Sequence, residues 1–313
     1  MNFFVAVTDS EWFRLHAAKD RVEEVNFWRP SPDASFKVLQ PGEMLLFKLH
    51  APKNFIVGGG FFTKFLSLPI SMAWEAFGEG NGVQSLAQMR ERIARYRRAP
   101  IGPKDNPNIG CIILAEPFFF SEQEWIAVPD DFSLNIVVGK TYSTDSASGR
   151  QVWVQLSDRL SRRTAELFDA GPATVSVVES QRFGDPVLVY PRLGQGSFRV
   201  LVTDAYGRRC AMTNERTLPV LQAAHIKPYS VGGRHELRNG LLLRSDLHTL
   251  FDQGYVTVDP QDRRIVVSGR IREEFENGRD YYQLHGKSIR TPEQPDLIPS
   301  QENLAFHAEH VFR

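Results

Sequence analysis

His225, Asn239, His248 and Asp252 are the residues of this sequence whose types and spacing can do chemistry. His248 and Asp252 lie four apart in a segment, SDLHTLFD, whose Leu247, Leu250 and Phe251 recur at helical spacing. Residues four apart share one face of a helix, so an imidazole and a carboxylate there can hold one divalent ion. His225 precedes them, and an imidazole can take a proton from water near neutrality. A metal that polarises a phosphoryl oxygen, beside a base that activates water, is a constellation for phosphodiester hydrolysis.

The surrounding residues predict the elements that must position this set. Gln222 to Ile226 reads as a short strand with His225 near its end. Pro228 to Arg238 reads as a loop, marked by Pro228, Gly232 and Gly233. Gly240 to Leu243 is an apolar strand directly after Asn239. Ser245 or Asp246 then caps a helix that stops near Gly254. Taken singly, each residue has an ordinary reading: a lone histidine on the surface, Asn239-Gly240 as a turn, Asp252-Gln253-Gly254 as a helix end. The order strand, loop, strand, helix is what joins them.

The phrases Ala223-Ala224-His225-Ile226, Asn239 to Arg244 (NGLLLR) and Asp246 to Asp252 (DLHTLFD) resemble the HNH, or ββα-metal, endonucleases. More narrowly they are similar to a branch of that family grouped with restriction endonucleases. The resemblance runs from about Tyr190 to the C-terminus and includes YPRLGQGSFR and AYGRRCAMT. It implies that His225 is the general base, that Asn239 holds the loop positioning it, and that His248 is a metal ligand with Asp252 as the second helical ligand. The implied cofactor is a divalent ion, Mg2+ or Mn2+. One departure stands out. Many HNH sites carry Asp or His just before the base, whereas this chain has Ala224, so waters and phosphate oxygens must complete the shell. Asp246 is a substitute ligand or, the reading preferred here, a helix N-cap.

Local charge fits a polyanionic partner. Between Arg192 and Arg244 nine basic residues face three acidic ones, a net +6 on a chain whose overall formal charge is zero. Arg208, Arg209, Lys227 and Arg244 are the expected contacts to a DNA backbone; the alternative is a solvated arginine-rich face. Cys210, without a partner cysteine, reads as a small buried residue.

The first half reads as mixed α and β. Phe3 to Val7, Met44 to Leu49, Phe55 to Val57, Ile112 to Leu114, Trp125 to Val128 and Ile136 to Val138 are strand candidates, and Ser85 to Arg98 is an amphipathic helix. Gly58-Gly59-Gly60 marks either a close backbone approach or a flexible turn. FFVAVTDSEWF, Gly42 to Leu49 and Phe55 to Phe62 resemble the PUA superfamily, which includes EVE and SRA domains. That resemblance implies a nucleic-acid reader in which a flipped modified cytosine stacks on aromatic walls. Trp28, Phe27, Trp12 and Phe61 are the candidate walls, with Trp28 favoured because NFWRPSPD reads as a loop.

Length and composition bound the rest. The 313 residues allow two domains, and 42% hydrophobic with 24% charged residues is ordinary for a globular protein. Two distant cysteines argue against a disulfide framework and suit a reducing cytosol. The N-terminus lacks the features of a signal peptide, and no apolar run is long enough to span a membrane, so a cytoplasmic location is expected. Tyr142 to Arg150 reads as a mobile loop or linker, with a second break near Arg182 to Pro186.

The resulting expectation is an α+β chain in three parts. Residues 1–150 form a PUA-like curved β-sheet or open barrel with helices, 151–189 a linker region, and 190–313 a ββα-metal HNH domain. Its expected function is a modification-dependent DNA restriction endonuclease. It would read 5-methyl- or 5-hydroxymethylcytosine in double-stranded DNA, without membrane contact, and act as a homodimer. The alternatives are an HNH nuclease acting on unmodified DNA or RNA, a DNA-binding protein with a degenerate site, and a first half that serves oligomerisation.

Overall fold

Runs of apolar, β-branched and aromatic residues build a sheet in the N-terminal half, and shorter runs repeat the plan in the C-terminal part. The computed structural model describes residues 1–32, 36–133, 135–169 and 193–313, with side chains from 164 to 169 left aside. The chain divides into two units, Met1–Arg192 and Leu193–Arg313.

The first unit runs β1 (Asn2–Thr8), α1 (Ser10–Ala17), β2 (Glu24–Arg29), β3 (Met44–Leu49), β4 (Phe55–Pro69), α2 (Ile70–Phe77), α3 (Leu86–Arg97), β5 (Asn108–Phe119), β6 (Ile126–Ala127), β7 (Gly139–Ser143) and α4 (Ala147–Asp169). Its sheet has the order β2-β5-β4-β3-β1-β7, with β6 paired to β4. β1 and β3 are parallel and the other pairs antiparallel. The sheet is therefore mixed, and the order ends at β2 and β7 without closing into a barrel. All six residues of β3 are buried, as expected of a strand covered on both faces. Leu45, Phe47 and Leu49 pack with Trp12 and Phe13 of α1 on one face. Met44 and Leu46 pack with Phe3, Val5, Val152 and Leu156 on the other. Asp9 caps α1 by accepting from the Glu11 and Trp12 amides at 2.9 Å each.

Several expectations are corrected here. Gly58-Gly59-Gly60 is a close approach inside β4, not a turn. A Cβ on Gly59 would lie 2.8 Å from both Leu46 Cδ2 and Phe118 Cζ, tighter than side chains tolerate. Tyr142 to Arg150 is not a mobile loop: Tyr142 pairs with Phe3 across β1 and β7, and α4 begins at Ala147. The expected linker 151–189 opens inside α4, whose Val152 and Leu156 are buried in the core. The break expected at Arg182 to Pro186 lies outside the described residues. Ile136 to Val138 precedes β7 and is not a strand; Val137 and Val138 are exposed. Among the described residues no helix is long and apolar enough to cross a membrane.

The second unit runs α5 (Gln195–Ala205), β8 (Leu221–His225), β9 (Gly240–Arg244), α6 (Ser245–Asp252), β10 (Val256–Val258), β11 (Ile265–Val267), α7 (Arg270–Phe275), α8 (Arg279–Tyr282) and α9 (Gln301–His310). β8 and β9 form an antiparallel pair with Ala224 opposite Leu241 and His225 opposite Gly240. Phe198, Val202 and Tyr206 of α5, Leu247 and Phe251 of α6, and Leu304 of α9 share one core with this hairpin. The strand, loop, strand, helix order expected from the sequence is therefore present, with 3-10 turns at Tyr229–Val231 and Leu237–Asn239 inside the loop.

α9 is tied down by His307, which is 1% exposed. Its Nδ1 lies 2.8 Å from the Thr257 hydroxyl, and its Nε2 lies 3.1 Å from the Phe251 carbonyl. Since a carbonyl only accepts, Nε2 carries the proton and Nδ1 accepts from Thr257. Burial pushes His307 down to about 4. Between that value and the ordinary 6.5, the unfolded chain binds the proton that the folded chain refuses, so stability falls as pH falls through this window. Acidification from pH 7 to 5 should cost this unit about 2 kcal/mol through His307. Urea unfolding at both pH values checks this: His307→Gln should lose that share of the pH dependence, and an unchanged dependence would overturn it.

Candidate active site

Asn239 is the pivot of the loop between β8 and β9. Its side chain is buried, 1% exposed. Oδ1 accepts from the Lys227 amide at 2.8 Å, while Nδ2 donates to the carbonyls of Lys227 at 2.9 Å and Arg234 at 3.0 Å. Its own carbonyl accepts from the Ile226 amide at 2.9 Å. One residue thus binds both ends of the loop to the strand end that carries His225. Gly240 follows because α5 crosses close by: a Cβ there would come 2.5 Å from Val202 Cγ2 and 3.2 Å from the Phe198 ring.

His225 lies at the end of β8 with its ring stacked on Phe198, centroids 4.0 Å apart and planes 11° apart. Its Nε2 is 2.9 Å from Nδ1 of His235. Burial, followed by the positive field of His235 and His248, pushes His225 down to about 4 against a smaller opposing effect of Asp252. The ring is therefore neutral at pH 7 and able to accept a proton.

His248 and Asp252 share one face of α6, with Nε2 3.2 Å from Oδ2. Nδ1 of His248 is 2.8 Å from Gln222 Oε1. An amide oxygen only accepts, so Nδ1 carries the proton and Nε2 presents its lone pair toward Asp252. Among the described residues no group of three or more His, Cys, Asp or Glu side chains is arranged to hold a metal. The donor set fits a divalent ion held by two side chains, His248 and Asp252, with the remaining positions left to water and phosphate oxygens. Ala224 is fully buried in the core beneath the site.

Asp246 is neither N-cap nor substitute ligand. The N-cap position of α6 is Arg244. The Asp246 carboxylate receives the Arg244 guanidinium at 2.6 and 2.7 Å and the Tyr281 hydroxyl at 3.3 Å. The Arg244 hydrogen bonds hold that carboxyl below its usual range. The fork engages Nε and Nη2 of Arg244 and leaves the Nη1 edge of the guanidinium open. Lys227 places its ammonium over the Phe306 ring, 4.8 Å from the centroid. Arg208 and Arg209 are half-buried on the turn after α5.

The four expected aromatic walls do not form one pocket. Trp12 and Phe27 meet edge to face at 5.5 Å, within a cluster that includes Phe47. Phe61 packs with the opposite face of the sheet. Trp28 is on β2, not in a loop, and its Nε1 donates to the Asn81 carbonyl at 2.9 Å. The strand assignment removes the reason for favouring it.

Sequence reasoning missed Phe198, Gln222 and His235. Phe198 lies in an apolar helix and Gln222 on a strand, where neither residue type announces a contact to a histidine. His235 had a signal, as an imidazole four residues before Asn239 in a loop expected to fold over the base.

A profile of the HNH endonuclease family matches residues 210–259, which contain all four candidate residues. No curated protein matches the chain. Among solved structures, two point mutants of an ASCH protein from Zymomonas mobilis align with 49% of this chain. One, at 9% identity and a TM-score of 0.31, is covered over 97% of its length; the other, at 8% and 0.31, over 95%. A structure titled as the modification-dependent TagI restriction endonuclease aligns with 97% of this chain and 79% of its own, at 12% identity and a TM-score of 0.26. The match to the HNH endonuclease family therefore falls in the C-terminal part of this protein.

Asn239→Ala strands two carbonyls and one amide in a partly buried position. It should lower the stability of the C-terminal unit by about 2–4 kcal/mol. Amide exchange at Lys227 and in the loop should speed up with it. Urea unfolding combined with hydrogen exchange measures both, and wild-type exchange in the loop would contradict the role given to Asn239.

Proposed function

We propose that this protein is a metal-dependent DNA endonuclease of a restriction system, cutting through the His225 site and reading a 5-substituted cytosine through its N-terminal unit. The observation that carries the nuclease reading is a neutral, aromatic-backed His225 in a segment matching the HNH family, with His248 and Asp252 as a donor pair on the adjoining helix.

His225 takes a proton from the water that attacks phosphorus. An O–P bond forms as the P–O3′ bond breaks, and the leaving oxygen departs on the side opposite the attack. Asn239 keeps His225 at that position through the Lys227 and Ile226 contacts. His248 and Asp252 would hold the divalent ion, with Gln222 fixing which imidazole nitrogen faces it. When bound, such an ion supplies positive charge for the phosphoryl and leaving oxygens. A single site of this kind cuts one strand, so double-strand cleavage requires a dimer or two successive nicks.

Support for the reader is of a different kind. Trp12 Nε1 and Asn26 Oδ1 are buried without a hydrogen-bond partner. Trp12 sits among Phe27, Phe47, Phe119 and His16. Polar groups left unpaired in an aromatic setting are what the edge of a flipped base can satisfy. Trp12 and Phe27 therefore fit the reading better than Trp28 or Phe61, whereas Asn26, bonded to Asn81 and Cys111, lies on the other face of β2.

A digestion panel tests both halves: unmodified, 5-methylcytosine and 5-hydroxymethylcytosine DNA, each with Mg2+ and Mn2+. Cleavage should require the metal and be confined to modified DNA. Equal cutting of all three substrates would leave the nuclease and remove the modified-base reader, while no cutting under any metal would sink the nuclease. His225→Ala should slow cleavage by roughly 10²–10⁴-fold, and wild-type speed in that variant would show that another group is the base.

A further inference from the structure

We propose that His235 is a positioning residue for His225: it accepts the Nε2 proton and thereby makes Nδ1 of His225 the basic nitrogen. This deepens the nuclease reading and rests on it.

The Phe198 stack fixes the plane of the His225 ring but not its sense. A half-turn about the Cβ–Cγ bond leaves the ring on Phe198 while exchanging Nδ1 with Cδ2 and Nε2 with Cε1. Only a directional contact distinguishes these two states. Among the described residues His235 is the sole hydrogen-bond partner of the His225 ring, at 2.9 Å between Nε2 and Nδ1. His235 is itself placed by its neighbours. Its ring stacks on Tyr229, with centroids 4.7 Å and planes 15° apart. It meets His225 edge to face at 5.0 Å and 60°. Its backbone is held through Asn239, which binds the carbonyl of the preceding Arg234.

The bond also selects a tautomer. When each ring carries one proton, the 2.9 Å contact admits one proton between the two nitrogens. If it belongs to His235, Nε2 of His225 accepts, the His225 proton sits on Nδ1, and no lone pair is left for water. If it belongs to His225, Nδ1 is bare and His235 Nδ1 is the acceptor. Only the second arrangement gives a base. It also meets the imidazolium formed on proton uptake with an acceptor already aligned on Nε2–H, a task that a carboxylate performs in a serine-hydrolase triad. As a nitrogen acceptor in the place of that carboxylate, His235 adds no negative charge beside the phosphodiester. The His248 contacts, to Gln222 and Asp252, do not involve it.

Two substitutions separate the bond from the stack. His235→Phe keeps a ring for Tyr229 and cannot accept. His235→Asn lacks the ring and returns an amide oxygen near the Nδ1 position. Single-turnover cleavage of plasmid DNA with Mn2+ should fall by about 10–100-fold in the Phe variant, with DNA affinity unchanged. The Asn variant should recover most of the rate. Long-range 15N–1H spectra of the full chain at pH 7.5 supply a readout independent of activity: His225 should be the Nε2–H tautomer in the wild type and lose that preference in His235→Phe. A Phe variant as fast as the wild type, or an Nδ1–H His225 in the wild type, overturns the proposal. A wild-type protein that cuts no DNA removes the nuclease reading, and the tautomer measurement still decides the role of His235.

Discussion

The buried side-chain amide of Asn239 is the interaction on which the candidate site depends. The loop from Ile226 to Arg238 carries two proline and glycine breaks and only short 3-10 turns, so it has few backbone bonds of its own. Asn239 substitutes for them by bonding to Lys227 at one end and Arg234 at the other. An amide suits this position because it offers a donor and an acceptor in one plane without charge. A carboxylate would face two carbonyls with no proton to give, and a buried charge there would be costly.

From that fixed loop, the setting of His225 follows as a compromise between two demands. The general base proposed for this site must be neutral at working pH, and burial against Phe198 with two other imidazoles nearby favours that state of His225. The same burial weakens the base, because a group that resists protonation also accepts a proton reluctantly. The acceptor role proposed for His235 would ease this by stabilising the protonated ring without returning it to solvent. The close approach of α5 is therefore part of the site, and Gly240, where α5 leaves no room for a Cβ, belongs to it as much as the polar residues do.

How much of this was legible depended on the range of each interaction. His225, Asn239, His248 and Asp252 were readable because their elements are local: a strand, a loop and a helix within about thirty residues, each with its own apolar pattern. The i, i+4 relation of His248 and Asp252 is set by helix geometry alone. Gln222 and Phe198 act across the hairpin and from α5, contacts that periodicity does not encode. In the first unit, short phrases located most strands but not their pairing. The parallel β1–β3 pair depends on a long crossover that no local pattern specifies. Trp28 misled because asparagine and proline neighbours resemble a loop, although β2 runs to Arg29. Tyr142 to Arg150 misled in the same way: its polar residues serve a tight bend between β7 and α4.

The basic character of residues 192–244 shows why charge counted along a sequence overstates charge presented to a ligand. The net +6 is correct as composition. In the structure Arg244 is committed to Asp246, and Lys227 lies over Phe306. Arg234 is paired loosely with Glu236 at 3.6 Å, and both side chains are largely in solvent. An exposed pair of that kind contributes little and yields easily to a phosphate, whereas a bidentate fork does not. Arg234 and Arg238 are exposed on the Asn239-held loop, on either side of His235. Positive charge open to solvent is thus carried by the same loop that Asn239 holds, so under the proposed function one set of Asn239 bonds would govern both the chemistry and the approach of a polyanion.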